Sequence, residues 1–141
     1  MPVPDSDLDA VTAAASSPDW PVRAQAGRDL ARWAHRDDAS AVLLRLILDP
    51  HDTAVTDATS HALLQRDDAH GLRVIARALA TAINSEYADH LYAAVAQHLL
   101  PDGPIAEFLR LCDELIDDSD PTTRLGAGHL RDMATPWTLA T

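Results

Sequence analysis

Leu72, Ile75, Ala76, Leu79 and Ile83 follow one another at steps of three and four, with Arg73 and Arg77 off the line. That period belongs to a helix with one apolar face. The rhythm recurs down the chain. Val42-Leu43-Leu44-Arg45-Leu46-Ile47-Leu48 is apolar nearly all round, as in a helix sandwiched between neighbours. Ile105, Phe108, Leu109, Cys112 and Ile116 point inward, away from Glu107, Arg110 and Glu114, and Arg110 can pair weakly with Glu114. Turn signals separate these runs: Ser16-Ser17-Pro18, Asp37-Asp38, Pro50, Asp67-Asp68, Asn84-Ser85-Glu86, Pro101-Asp102-Gly103-Pro104 and Asp117-Asp118-Ser119-Asp120-Pro121. Helices are therefore predicted over about 5–16, 20–35, 39–48, 52–66, 86–100 and 105–116. Two more carry the Leu72 to Ile83 stripe and the segment from Pro121 to about Ala134. Asp5 or Ser6, Asp19 and Asp52 are expected to cap helices, with Pro21 in a first turn.

The turns also repeat. Asp19-x-x-Val22-Arg23 returns as Asp52-x-x-Val55-Thr56 at 52 − 19 = 33 and as Ser85-x-x-Ala88-Asp89 at 85 − 52 = 33. Asp120-x-x-Thr123-Arg124 follows at 120 − 85 = 35. An interval of this size indicates a helical repeat array. The paired units, with Asp-x-x-Val-Arg opening the second helix and then Ala26 and Leu30, resemble HEAT repeats of the short bacterial type. Thr56 replaces the Arg in the second unit, the third is degenerate, and the fourth recovers Asp120, Arg124 and Ala127. The resemblance implies an all-α fold, a right-handed α-α superhelix of about four antiparallel helix pairs over 1–134, with a tail at 135–141 containing Trp137 and Leu139. It also implies that Asp19, Arg23, Asp120 and Arg124 link neighbouring repeats.

Composition narrows the class. Twenty-two acids face 11 basic residues, all of them Arg, for a net charge of −11. Such a surface repels nucleic acid and anionic membranes and attracts basic proteins. Only 4% of residues are aromatic, so Ala, Leu, Val and Ile must form the core. The single Cys112 has no internal disulfide partner, which suits a reducing compartment. Met1-Pro2-Val3-Pro4-Asp5 lacks the basic start and apolar run of a signal peptide, and no apolar stretch spans a membrane. A cytoplasmic monomer is expected.

In such arrays the second helices line the inner face. Stepping 100° per residue places Val22, Ala26, Leu30, Trp33, Val55, Thr59, Leu63, Ala88, Tyr92, Val95, Leu99, Thr123, Ala127, Leu130 and Ala134 toward the core. The opposite stripe holds Ala24, Arg28, Arg32, His35, Asp57, His61, Leu64, Gln65, His90, Ala94, Gln97, His98, Leu125, His129, Asp132 and Met133. Five of the seven histidines lie on it. Three readings stand open: a solvated polar face, a recognition groove with adaptable hydrogen-bonding groups, and a metal site. Asp57 and His61, four apart, are too few ligands for the last.

The acids segregate to the turns. Asp37, Asp38, Asp67, Asp68 and Asp102 lie between repeats, and Asp19, Asp49, Asp52, Asp117, Asp118 and Asp120 within them. Helix capping explains single Asp residues but does not require doublets. The doublets Asp37-Asp38, Asp67-Asp68 and Asp117-Asp118 are candidate docking edges for a basic protein.

Catalytic signals are missing from the sequence: no Gly-rich phosphate loop, Cys-x-x-Cys or nucleophile elbow occurs. Some HEAT-like proteins are iron hydroxylases with paired His-Glu dipeptides, absent here, or DNA glycosylases with basic grooves, which the charge opposes. Cys112 sits on an apolar face and reads as core. The expected function is therefore a non-enzymatic protein-binding module without cofactors. An inhibitor or immunity-type protein neutralising a basic toxin or nuclease is the first reading, and an adaptor or scaffold subunit the alternative.

Overall fold

A computed structural model describes residues 5–139, and it is built of helices throughout. The helices are α1 (Asp5–Ala14), α2 (Trp20–Leu30), α3 (Asp37–Ile47), α4 (Thr53–Leu64), α5 (Ala69–Thr81), α6 (Glu86–Leu99), α7 (Ile105–Ile116) and α8 (Pro121–Leu139). No strand occurs among the described residues. Met1-Pro2-Val3-Pro4, and the side chains of Asp5, Ser6 and Leu139, lie outside what is described, so the capping expected of Asp5 or Ser6 does too.

Caps fix several helix starts. The Asp52 carboxylate accepts from the Ala54 N–H at 2.8 Å, that of Asp68 from Gly71 at 2.9 Å, and the Ser85 hydroxyl from Tyr87 at 3.3 Å. Asp120 accepts from the Thr123 N–H at 3.2 Å and its hydroxyl at 2.8 Å. Asp19 departs from expectation: it occupies the cap position of α2 but its side chain accepts no capping bond. The second predicted helix also ends early. α2 stops at Leu30 and tightens into a single 3-10 turn, Ala31–Trp33. The last helix runs beyond Ala134, through Pro136, to Leu139. Trp137, expected in a tail, packs half-buried against the core.

The second helices α2, α4 and α6 pack side by side in a row, and α3 meets α5 on the other side. Gly27 of α2 lies where a Cβ would run into the side chain of Thr59 on α4, so these two helices approach closely. The last pair breaks the pattern. α8 packs on α5 and α7 instead of extending the row beside α6. A Cβ on Gly126 would strike the backbone of Ala76, so the α5–α8 crossing depends on having no side chain there. Arg73 and Arg77 of α5 hold the α7–α8 turn by pairing with Asp118 at 3.0 Å and Asp120 at 3.3 Å. α5 thereby becomes the most enclosed helix, with Val74 and Ala78 buried as well as Leu72, Ile75, Ala76 and Leu79.

The core follows the predicted stripes with named exceptions. Tyr92, expected inward, is only half-buried, and Val22, also expected inward, is 41% exposed. Arg23 and Ala24 take its place, because α2 turns one side to α4 and another to the adjacent turns. Ala24, Leu64 and Ala94, expected outward, are buried for the same reason: a second helix in a row is covered on its flanks as well as its base. On α7 the buried face is Phe108, Leu111, Cys112 and Leu115, while Ile105, Leu109 and Ile116 are half-buried.

Candidate functional site

α2 and α4 position the first part of the candidate site. Small residues (Gly27, Ala31, Ala58 and Ala62) let the helices close up, and long side chains stand above them. Arg28, Arg32, His61 and Gln65, four of the residues expected on the inner stripe, line one groove of about 610 Å³ together with Arg66. Arg28 donates from Nε to the Gln25 side chain at 3.1 Å. Arg32 donates from Nε to the Asp29 carbonyl at 3.2 Å and lies over the Trp33 ring at 5.1 Å. Arg66 spans the groove's end, donating to the Ala31 carbonyl at 2.9 Å and to Asp68 at 2.8 Å.

The other stripe residues act as ties or stand in solvent. His90 on α6 lies 3.3 Å from Asp57 on α4 through Nδ1. His98 reaches Asp67 at 2.8 Å, joining a stripe histidine to an acid expected on the edge. His35 meets the ring of His70 edge-on, with centroids 6.1 Å apart. Gln97 and Asp132 are exposed and His129 half-buried. His129 and Asp132 sit on α8, outside the α2–α4–α6 row, so the stripe is not one continuous surface. Burial pushes the Tyr92 phenol up, and the Asp132 charge adds to it.

The acidic doublets divide their work. Asp38 pairs with Arg36 at 3.1 Å, Asp68 with Arg66, and Asp118 with Arg73. Burial raises the Asp68 carboxyl, but Arg66 and the Gly71 N–H outweigh it and hold it below the ordinary range. The first member of each doublet, Asp37, Asp67 or Asp117, is exposed. Asp67 has φ 51, a left-handed conformation in the turn between α4 and α5 that Asp tolerates better than most residues. Arg36-Asp37-Asp38 and Arg66-Asp67-Asp68 are one motif at an interval of 66 − 36 = 30, a signal the sequence contained and the doublet reading missed.

The linking residues are partly other than expected. Arg23 does join neighbouring pairs, but through Asp49, at 2.7 and 3.2 Å. Its Nη1 also donates to the Ser17 and Pro18 carbonyls at 3.0 and 3.1 Å. Arg124 makes only the carbonyl half of this arrangement, to Asp118 and Ser119, and stays exposed. A second groove, of about 820 Å³, runs over the Arg23–Asp49 pair between Ser17, Leu44, Arg45 and His51.

Cys112 is fully buried, and burial pushes its thiol up to about 12, which removes the thiolate that nucleophilic chemistry needs. No group of three or more His, Cys, Asp or Glu able to hold a metal occurs among the described residues. None of the described helices is long and apolar enough to cross a membrane. No family model, curated protein or solved structure matches this chain.

Proposed function

We propose that the chain is a short HEAT-like array, a right-handed α-α superhelix whose fourth helix pair folds back onto α5, acting in the cytoplasm as a monomeric, non-enzymatic protein-binding module. It works as an inhibitor or immunity-type protein that neutralises a basic protein such as a toxin or nuclease. The side-by-side packing of α2, α4 and α6 supports the array. The observation that carries the binding reading is the division within the doublets. Capping and ion pairing account for Asp38, Asp68 and Asp118, yet Asp37 and Asp117 remain in solvent beside them on a chain of net charge −11. Exposed acids of this kind steer encounter more than they lock a complex.

The test is surface-binding kinetics with a captured basic partner protein. Raising salt should slow association far more than it speeds dissociation, and a joint Asp37→Asn, Asp117→Asn variant should do the same. An association rate indifferent to both would remove this reading. The adaptor or scaffold alternative draws on exposed apolar residues, Trp20 at 47% and Leu125 at 55%. A stable complex that leaves the partner's activity intact would favour it.

A further inference from the structure

We propose that the α2–α4 groove is a receptor for an extended acidic peptide segment carrying carboxylates at alternate positions. The inference rests on reading α2 and α4 as a recognition face, and it assigns that face the opposite ligand charge from the acidic turns.

The first observation is how the arginines are distributed. Arg23, Arg36, Arg66, Arg73, Arg77, Arg110 and Arg131 each pair with a carboxylate. With 22 acids to 11 arginines, carboxylates are in ample supply. Arg28 and Arg32 nevertheless have none, as do Arg45 and Arg124, but only Arg28 and Arg32 stand four residues apart, Arg28 in the last turn of α2 and Arg32 in the 3-10 turn that follows it, where like charges repel. Each is held only through Nε, by an uncharged acceptor. Their terminal nitrogens have no acceptor among the described residues. Those nitrogens form the fork that grips a carboxylate with two parallel bonds.

The second observation is the setting. Both arginines line a recess with an alanine floor, and His61 and Arg66 face them across it from the α4 side. Arg66 already shares its charge with Asp68, and His61 and Gln65 add adaptable polar groups. The groove is therefore a basic island on an acidic protein, with Arg28 and Arg32 exposed and open to a ligand.

Geometry selects the ligand. Four residues, from the last turn of α2 into the 3-10 turn, rise about 6–8 Å along the axis. Side chains two apart on an extended strand are about 6.8 Å apart and share one face. An extended chain laid along α2 thus presents alternate side chains to Arg28 and Arg32 in register. A lone phosphate offers one charged centre where such a peptide offers two, so it should bind more weakly.

The experiment titrates the isolated full chain with acetylated, amidated Glu-Ser-Glu, its Gln-Ser-Gln counterpart and inorganic phosphate, followed by nitrogen-proton NMR. The Glu peptide should give saturable shifts at the Arg28 and Arg32 side chains and at His61. A joint Arg28→Gln, Arg32→Gln variant should weaken it at least tenfold, and Arg45→Gln, exposed but outside the groove, should leave it unchanged. The Gln peptide should not saturate. No saturation by the Glu peptide, an equal response to the Gln peptide, phosphate binding as tightly, or normal binding by the double variant would each overturn the proposal. The melting temperature of the double variant shows whether it is folded. Failure here leaves the salt-dependent docking of a basic partner standing, since that test reads the acidic turns.

Discussion

Arg23 and Asp49 form an ion pair whose side chains are only 9% and 4% exposed, 26 residues apart in sequence. Asp49 also accepts from the His51 and Asp52 N–H groups, both at 2.9 Å, and its carbonyl accepts from the Tyr87 hydroxyl at 2.7 Å. One aspartate therefore joins the first, second and third helix pairs. Asp49→Ala leaves a buried guanidinium without its counter-charge and should cost about 3–5 kcal/mol in a urea melt. A cost within the range of surface substitutions would mean that the turn carbonyls and water satisfy Arg23 alone.

The same pair sets an acid limit. Burial pushes the Asp49 carboxyl up, but Arg23 and the two N–H groups outweigh it, so its folded pKa lies below the ordinary value. A depressed carboxylate stabilises the fold fully above its unfolded pKa of about 3.9, and that contribution is lost as pH falls through the lower folded value. Stability should decline below about pH 4, with a shallower slope in Asp49→Asn, measured by denaturant melts across that range.

Gly126 and Gly128 lie on the same helix and should respond in opposite ways. A methyl at Gly126 meets the Ala76 backbone, which cannot swing aside as a flexible side chain would. Gly126→Ala should destabilise by about 1–3 kcal/mol. Gly128 has nothing within 4 Å of an added Cβ. Gly128→Ala should stabilise the helix by up to about 1 kcal/mol. Paired thermal melts test both, and equal effects would mean that α8 does not cross α5 at Gly126.

Trp33 is 6% exposed although it sits on a 3-10 turn and not within α2. Trp33→Ala should cost about 3–5 kcal/mol. A loss below about 1 kcal/mol in a urea melt would place the ring at the surface.

Cys112 should be silent to thiol reagents in the native protein, since it is buried and its thiol stays protonated to about 12. Ellman's reagent should label it at the rate of unfolding, rising as denaturant is added. Immediate labelling in buffer would show that α7 opens locally.

The helix count and most turns were legible because Pro18, Pro50, Pro101 and the Asp-rich turns interrupt a strong 3.6-residue period. Periodicity gives each helix one inward direction and no more. It placed Leu30, Val55 and Leu99 correctly. It failed at Val22 and Ala24 because a helix in a row has covered flanks. The last helix is expected to end near Ala134, yet α8 continues through Pro136 with Trp137 packed on the core. Of the candidate site, the sequence brought Arg28, Arg32 and His61 to one stripe. It could not show that Asp57 and Asp67 would be engaged by His90 and His98 in place of solvent, since those partners lie 33 and 31 residues away.

A linear stack of helix pairs frays from its ends, because each terminal unit is held by one neighbour alone. Here the C-terminal end is doubled back: α8 lies across α5, pinned by Arg73, Arg77 and the Gly126 crossing. The unit that would peel away first is thus anchored to the helix best shielded from water. Loosening it would uncover α5 around Ala76, so the last pair should melt together with the middle of the chain and not ahead of it.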